Sequence, residues 1–184
     1  MDIFPQLGAY DHEMVVFCND SATGPRAIIA VHDTTLGPGL GGVRMFPYAT
    51  EQDALEDVLR LSRGMTYKAA ISGVDLGGAK SVIIGDSKTE KTPGLLRALG
   101  RFIDALGGSY IAGQDIGTNP RDMAEIRGVT THVSCVHPSA GGAGDASRAF
   151  GAVRSREEPT TSSRRRGTAR RSPRAESPTR PTSS

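Results

Sequence analysis

RGMTYKAAISGVDLGGAKSVIIG, residues 63–85, carries two of the chain's four lysines, Lys68 and Lys80, and sets the second between glycines and an apolar run. Surface lysines normally come as members of a solvated mixture. A lysine that closes Gly77-Gly78-Ala79 and precedes Val82-Ile83-Ile84, which reads as a buried strand, is instead held at the mouth of a cleft. Desolvation there disfavours the ammonium form and suits the side chain to proton transfer near neutral pH. A carboxylate partner stands downstream in Gly113-Gln114-Asp115-Ile116-Gly117-Thr118, where Asp115 lies between an apolar segment and a helix start. Two lysines and an aspartate so placed make a site for an anion that also loses protons. The plainer alternative is two snorkelling surface lysines and a turn aspartate.

Outward from this stretch, the periodicities alternate between strand and helix. Glu13 to Cys18 and Arg26 to His32 read as strands, and Leu36 to Gly42 as a glycine-rich loop leading to a short extended piece through Phe46. Thr50 and Asp53 match a capping box, followed by a helix whose apolar face is Leu55, Val58, Leu59, Ser62 and Met65 and which delivers Lys68 near its end. Ala70 to Val74 and Ser81 to Gly85 read as strands on either side of a glycine turn that bears Lys80. A second helix runs from the Thr92-Pro93 cap to Gly107-Gly108, Ser109 to Ala112 is a strand, and Asn119-Pro120 opens a third helix. The expected fold is α/β: a mixed, mainly parallel sheet flanked by helices, with ligands beyond the strand ends.

Composition divides the chain. Between Arg154 and Ser184, nine arginines face three glutamates for a net charge of +6, and the only apolar side chains are Ala169 and Ala175. The remainder, with thirteen basic and seventeen acidic residues, carries −4, so the basic character belongs to the tail. Too little apolar surface exists there to offset chain ordering. The expected organisation is a domain over residues 1–147 and a disordered Arg/Ser/Pro/Thr-rich tail over 148–184. Cys18 and Cys135 form no CxxC pair, and neither a signal peptide nor a long apolar stretch is visible, which predicts a soluble cytoplasmic protein with free thiols.

Gly37, Gly39 and Gly42 satisfy GxGxxG, yet Arg44-Met45-Phe46-Pro47 does not open the helix whose N-terminus would receive a pyrophosphate. A tight loop needing close backbone approach is the better reading. His132, Cys135 and His137 crowd into six residues without a fourth ligand nearby, so a zinc site is not expected.

Five stretches, TTLGPGLGGVRMFPYAT, LSRGMTYKAA, DLGGAKSVIIGD, LGGSYIAGQDIGT and GGAGD, resemble in order and spacing the glutamate, leucine, phenylalanine and valine dehydrogenase family, and its branched-chain and aromatic members in particular. The resemblance covers about residues 13 to 147 and implies the N-terminal substrate-binding and dimerisation domain of an enzyme that oxidatively deaminates an L-amino acid to a 2-oxo acid with NAD. By position, it implies that Lys68 pairs with the substrate carboxylate, that Lys80 activates water for attack on the imine, and that Asp115 exchanges protons with the amino group. It places Gly41 and Met65 near the substrate and Leu40 beside the side-chain pocket. It implies a small-molecule partner and a homo-oligomer; from the residues themselves neither a membrane partner nor a metal is expected. Where the family usually has a third glycine this chain has Ala79, whose methyl is expected to crowd the substrate backbone beside Lys80.

After Gly144-Asp145-Ala146-Ser147 the resemblance breaks, at about Arg148, and no NAD-binding Rossmann domain is recognised. A tail whose basic residues are all arginine is what a GC-rich gene read out of frame supplies. The expectation is therefore a truncated or frameshifted product that is catalytically silent alone, with no cofactor-binding residues of its own. Two readings of other classes stand beside it: a non-catalytic oligomerisation module, and a nucleic-acid-binding arm built from Arg164-Arg165-Arg166 and Arg170-Arg171.

Overall fold

A computed structural model describes residues 3–134. The expected domain end at residue 147, the GGAGD stretch, Cys135, His137 and the arginine-rich tail lie outside the described residues.

The elements run α1 (Ile3–Ala9), β1 (Met14–Asn19), β2 (Arg26–Asp33), β3 (Gly39–Phe46), α2 (Glu51–Ile71), β4 (Gly77–Ile84), α3 (Pro93–Ala105), β5 (Tyr110–Gln114) and α4 (Pro120–Arg127). The strands form one mixed sheet in the order β1-β2-β4-β3-β5. β1 with β2 and β2 with β4 are antiparallel, whereas β3 pairs in parallel with both β4 and β5. β2, buried on both faces, accordingly carries the apolar run Ala27 to Val31 rather than an alternating one, whereas the equally buried β4 holds Lys80 and Ser81 at its centre. Among the described residues, no helix is long and apolar enough to cross a membrane.

Helix boundaries follow their punctuation. Thr50 and Asp53 exchange both bonds of the capping box at the start of α2, Thr92 caps α3 ahead of Pro93, and Asn119 with Asp122 boxes the start of α4. Gly107, at φ +60°, and Gly108, at φ +93°, turn the chain away after α3.

Three expected boundaries shift, each for a local reason. Ala70 and Ile71 are the last turn of α2 rather than a strand, and the chain leaves the helix at Gly73, whose φ of +66° few other residues adopt. Gly39 to Gly42 belong to β3, so the glycine-rich loop ends at Pro38. Gly77 to Lys80 open β4 rather than form a turn. Glycine clusters mark close backbone approach as readily as turns, and here they let strands and a helix come together.

Pleating then sorts the side chains. Val43, Met45, Ala79, Ile83, Tyr110 and Ala112 join the core beneath α3 and α4, with Leu96, Leu99, Ile103, Met123 and Ile126. Ile28, Ala30 and Val82 join the core beneath α2, with Leu55, Val58 and Leu59. By the same alternation Gly78 and Lys80 of β4, and Leu40, Gly42 and Arg44 of β3, face the α2 side.

Candidate active site

β4 carries Lys80 into a nearly closed position, 5% exposed, and its Nζ lies 2.6 Å from Asp115 Oδ2. Asp115 directly follows β5. Its backbone N–H donates to Thr118 Oγ1 at 2.9 Å, and that hydroxyl donates to the Val43 carbonyl at 2.7 Å, so the turn is tied to β3. The same Oδ2 accepts from Arg44 Nε at 2.9 Å, and the Arg44 guanidinium also donates to Asp57 Oδ2 of α2 at 2.9 Å.

The pair exists because residue 42 is glycine. A Cβ there would fall 2.7 Å from Asp115 Cβ and 3.0 Å from Lys80 Nζ. Gly78 does similar service for the helix: a Cβ would meet the Thr66 backbone N at 2.2 Å, so α2 rests directly on the sheet next to Lys80.

Burial pushes the Lys80 amine below the usual lysine value of 10.5, against the opposing pull of Asp115. Burial by itself would raise Asp115. The bond and charge of Lys80, the Ile116 N–H and Arg44 outweigh it and hold the carboxyl below the usual aspartate range. An amine that gives up its proton more easily, touching a carboxylate that stays ionised, can take and return protons beside a bound ligand.

Of the residues singled out in the sequence, Lys80 and Asp115 are in contact and Leu40 is buried on their face of the sheet. Met65 is half-buried on α2 and Lys68 exposed in its last turn, three residues on and so along one side of the helix. Gly41 faces the other way: a Cβ on it would meet the Ala79 carbonyl oxygen at 1.6 Å, and its own carbonyl accepts from Tyr110 Oη at 3.2 Å. It spaces β3 from β4 and ties β3 to β5. Ala79 points into the core beneath α3 with no exposed surface, so its methyl stands away from Lys80 and does not crowd that side. Sequence reasoning missed Gly42, Arg44 and Asp57. A period-two count through GGVRM would have put Gly42 and Arg44 on one face; the approach of Asp57 from α2 has no local signal. Among the described residues there is no group of three or more His, Cys, Asp or Glu that could hold a metal.

The Glu/Leu/Phe/Val dehydrogenase, dimerisation domain, family matches residues 12–132. A leucine dehydrogenase from Bacillus cereus is 51% identical over 156 residues, which is 84% of this chain and 43% of that protein. A phenylalanine dehydrogenase from Bacillus thermotolerans is 56% identical over 137 residues, 74% of this chain and 36% of that one. Among solved structures, an L-tryptophan dehydrogenase from Nostoc punctiforme superposes with a TM-score of 0.70 at 48% identity, covering 72% of this chain and 39% of its own. The chain thus spans less than half the length of these relatives.

Proposed function

The chain belongs to the Glu/Leu/Phe/Val dehydrogenase family, and we propose that it is the amino-acid-binding and proton-handling part of an enzyme that oxidatively deaminates a branched-chain or aromatic L-amino acid. The observation that carries this reading is the contact at 2.6 Å between the buried Lys80 and the partly buried Asp115. A non-catalytic oligomerisation module has no use for a buried lysine paired with a carboxylate on the face of the sheet, since such a pair adds little net stability over apolar packing.

Lys68 supplies the cation for the substrate carboxylate, and Leu40 and Met65 offer apolar surface to its side chain, whereas Gly41 acts through the spacing of β3 and β4. Asp115 takes a proton from the substrate ammonium, freeing the nitrogen lone pair. Once Cα stands at the imine level, hydrolysis needs a base to take a proton from water and an acid to return one to the departing ammonia. Lys80 fits that cycle because desolvation lowers its pKa and so makes the neutral amine easier to reach. Dehydrogenation calls for a nicotinamide coenzyme, NAD in our reading, but the described residues do not fit it: Gly37, Gly39 and Gly42 run into β3, and no GxGxxG unit opens a helix. A homo-oligomer in the cytoplasm completes the proposal, in keeping with the dimerisation domain that the family match describes.

The test is a chimera in which this chain replaces the matching 43% of the Bacillus cereus leucine dehydrogenase, assayed with leucine, valine, phenylalanine and glutamate. We expect turnover of the apolar substrates, and a preference for glutamate would overturn the assignment. In that chimera Lys68→Ala is expected to raise KM roughly 10- to 100-fold with a smaller change in kcat, the loss of one charge-assisted contact of about 1.5–3 kcal/mol. An unchanged KM would remove Lys68 from the site. Ala79→Gly is expected to leave kcat and KM within about twofold and to lower stability by roughly 0.5–1 kcal/mol in urea unfolding, because its methyl lies in the opposite core. A clear gain in activity would show that the methyl does reach the substrate.

A further inference from the structure

Lys80 and Asp115 sit at the inner end of a chain of alternating charges that runs across the sheet to the surface. Arg44 places Nε on Asp115 Oδ2 at 2.9 Å and its Nη1 on Asp57 Oδ2 at 2.9 Å. Asp57 is held in turn by Tyr48 Oη, which donates to Oδ2 at 2.6 Å, and by Arg60, which reaches Oδ1 at 2.6 Å. Arg44 and Asp57 are each 16% exposed in their side chains, whereas Arg60 is 70% exposed and largely screened by solvent. Both ends of the Arg44 guanidinium are thus engaged by carboxylates from different elements, Asp115 after β5 and Asp57 on α2. A fork held at two points fixes direction as well as charge, which a lysine could not do.

We propose that Arg44, anchored by Asp57, is a positioning residue that locks the Asp115 carboxylate as an anion against Lys80 and so governs the proton balance of the catalytic pair. This rests on the assignment of Lys80 and Asp115 as the proton-handling groups. The groups acting on the pair come from β3 and α2: Arg44 touches Asp115, and Asp57 follows behind Arg44. Arg60 of α2 and Tyr48, from the segment between β3 and α2, reach Asp57 rather than the pair, and Tyr110 of β5 lies on the opposite face of the sheet. Counting inward from Asp57, two carboxylates are balanced by Arg44 and one further cation. Arg44 donates to the carboxylate that would otherwise answer to Lys80 alone, and its positive charge disfavours an ammonium beside it. The depressed Lys80 amine and the depressed carboxyls of Asp115 and Asp57 agree in direction with that arrangement.

The experiment uses the whole 184-residue chain and needs no turnover. With only four lysines, 68, 80, 88 and 91, the side-chain Cε and Nζ resonances can be assigned and titrated by NMR. In Arg44→Met the Lys80 midpoint is expected to move upward, with that of Asp115 also rising, while Lys88 and Lys91 stay where they are. Arg44→Lys should recover only part of the shift, because charge returns without the fork. Circular dichroism selects folded variants, and Asp57→Asn serves if Arg44→Met does not fold: it keeps the guanidinium and removes its anchor, and should broaden or split the Asp115 carboxylate signal. Unmoved Lys80 and Asp115 titrations in a folded Arg44 variant, or an unchanged Asp115 signal in Asp57→Asn, would overturn the inference. The functional assignment fails separately, if 4-methyl-2-oxopentanoate perturbs neither the Lys68 nor the Lys80 resonance.

Discussion

Lys80→Met in the leucine dehydrogenase chimera is expected to cost two to four orders of magnitude in kcat, the usual contribution of a positioned general base. Methionine keeps the length and most of the volume of the lysine stem, so the core beneath α2 stays filled. Asp115 keeps Arg44 at 2.9 Å and is not left as an unpaired buried charge. The loss should therefore appear in turnover rather than in folding. Its pH signature has a definite sign. With the amine depressed below 10.5 in the folded protein, wild-type activity climbs as pH rises through the lowered value and the neutral base accumulates; in Lys80→Met that limb vanishes. Stability is linked in the same direction. Folding binds fewer protons than unfolding between the lowered value and 10.5, so the stability contribution is present above 10.5 and is lost as pH falls through the folded value. Urea titrations of the isolated chain should show that slope in the wild type and a flatter line in the variant. A Lys80→Met chimera retaining more than a tenth of wild-type turnover would remove Lys80 from the chemistry.

How much of this was legible beforehand varies with the range of the interaction. The caps at Thr50, Thr92 and Asn119 are written within four residues of sequence, and all three close as expected. Lys80 and Asp115 could be singled out because glycine and apolar context surround each of them. Close backbone approach was expected at Gly37, Gly39 and Gly42 and is found there; what failed was the assignment of loop and turn to glycines that lie in strands. Gly39 to Gly42 and Gly77-Gly78 carry turn composition, but the sheet uses them where backbones touch: a Cβ at Gly77 would meet the Asp33 carbonyl at 1.9 Å and one at Gly39 the Ala79 methyl at 2.8 Å. A local propensity that favours a turn is overridden when a strand must be approached from both sides. Arg44 was hidden for a different reason: its partner Asp57 comes from the helix that follows and Asp115 from the turn after β5, 71 residues away. No window on the sequence spans that. The misjudged effect of Ala79 has a simpler source: it neighbours Lys80 in sequence, and in a strand neighbours in sequence lie on opposite faces.

That opposition gives adjacent glycines opposite fates. Gly41→Ala places a methyl 1.6 Å from the Ala79 carbonyl oxygen and 2.5 Å from its carbon, atoms of the central strand that no rotamer can move. β3 and β4 would have to separate at the middle of the sheet, breaking their parallel ladder and opening the core that contains Val43, Ala79 and Tyr110. Overpacking ordinarily costs about 1–3 kcal/mol when side chains can give way. Here the obstacle is backbone, so the cost should exceed that range and consume much of the roughly 5–15 kcal/mol that holds a domain together. The expected result is no cooperative urea transition and little soluble protein. Gly42→Ala meets a softer wall than Gly41→Ala, because its nearest atom is at 2.7 Å rather than 1.6 Å and Lys80 Nζ at 3.0 Å is the end of a flexible side chain, although Asp115 Cβ at 2.7 Å and the Gln114 carbonyl oxygen at 3.0 Å are not. The chain should fold, at a cost within the ordinary overpacking range, with the Lys80–Asp115 contact broken and the Lys80 NMR titration moved. One substitution thus removes the fold and its neighbour removes the site. A Gly41→Ala protein that unfolds at the wild-type urea midpoint would mean that β3 and β4 are not in this register. A Gly42→Ala protein with an unaltered Lys80 titration would mean that the pair does not sit over residue 42.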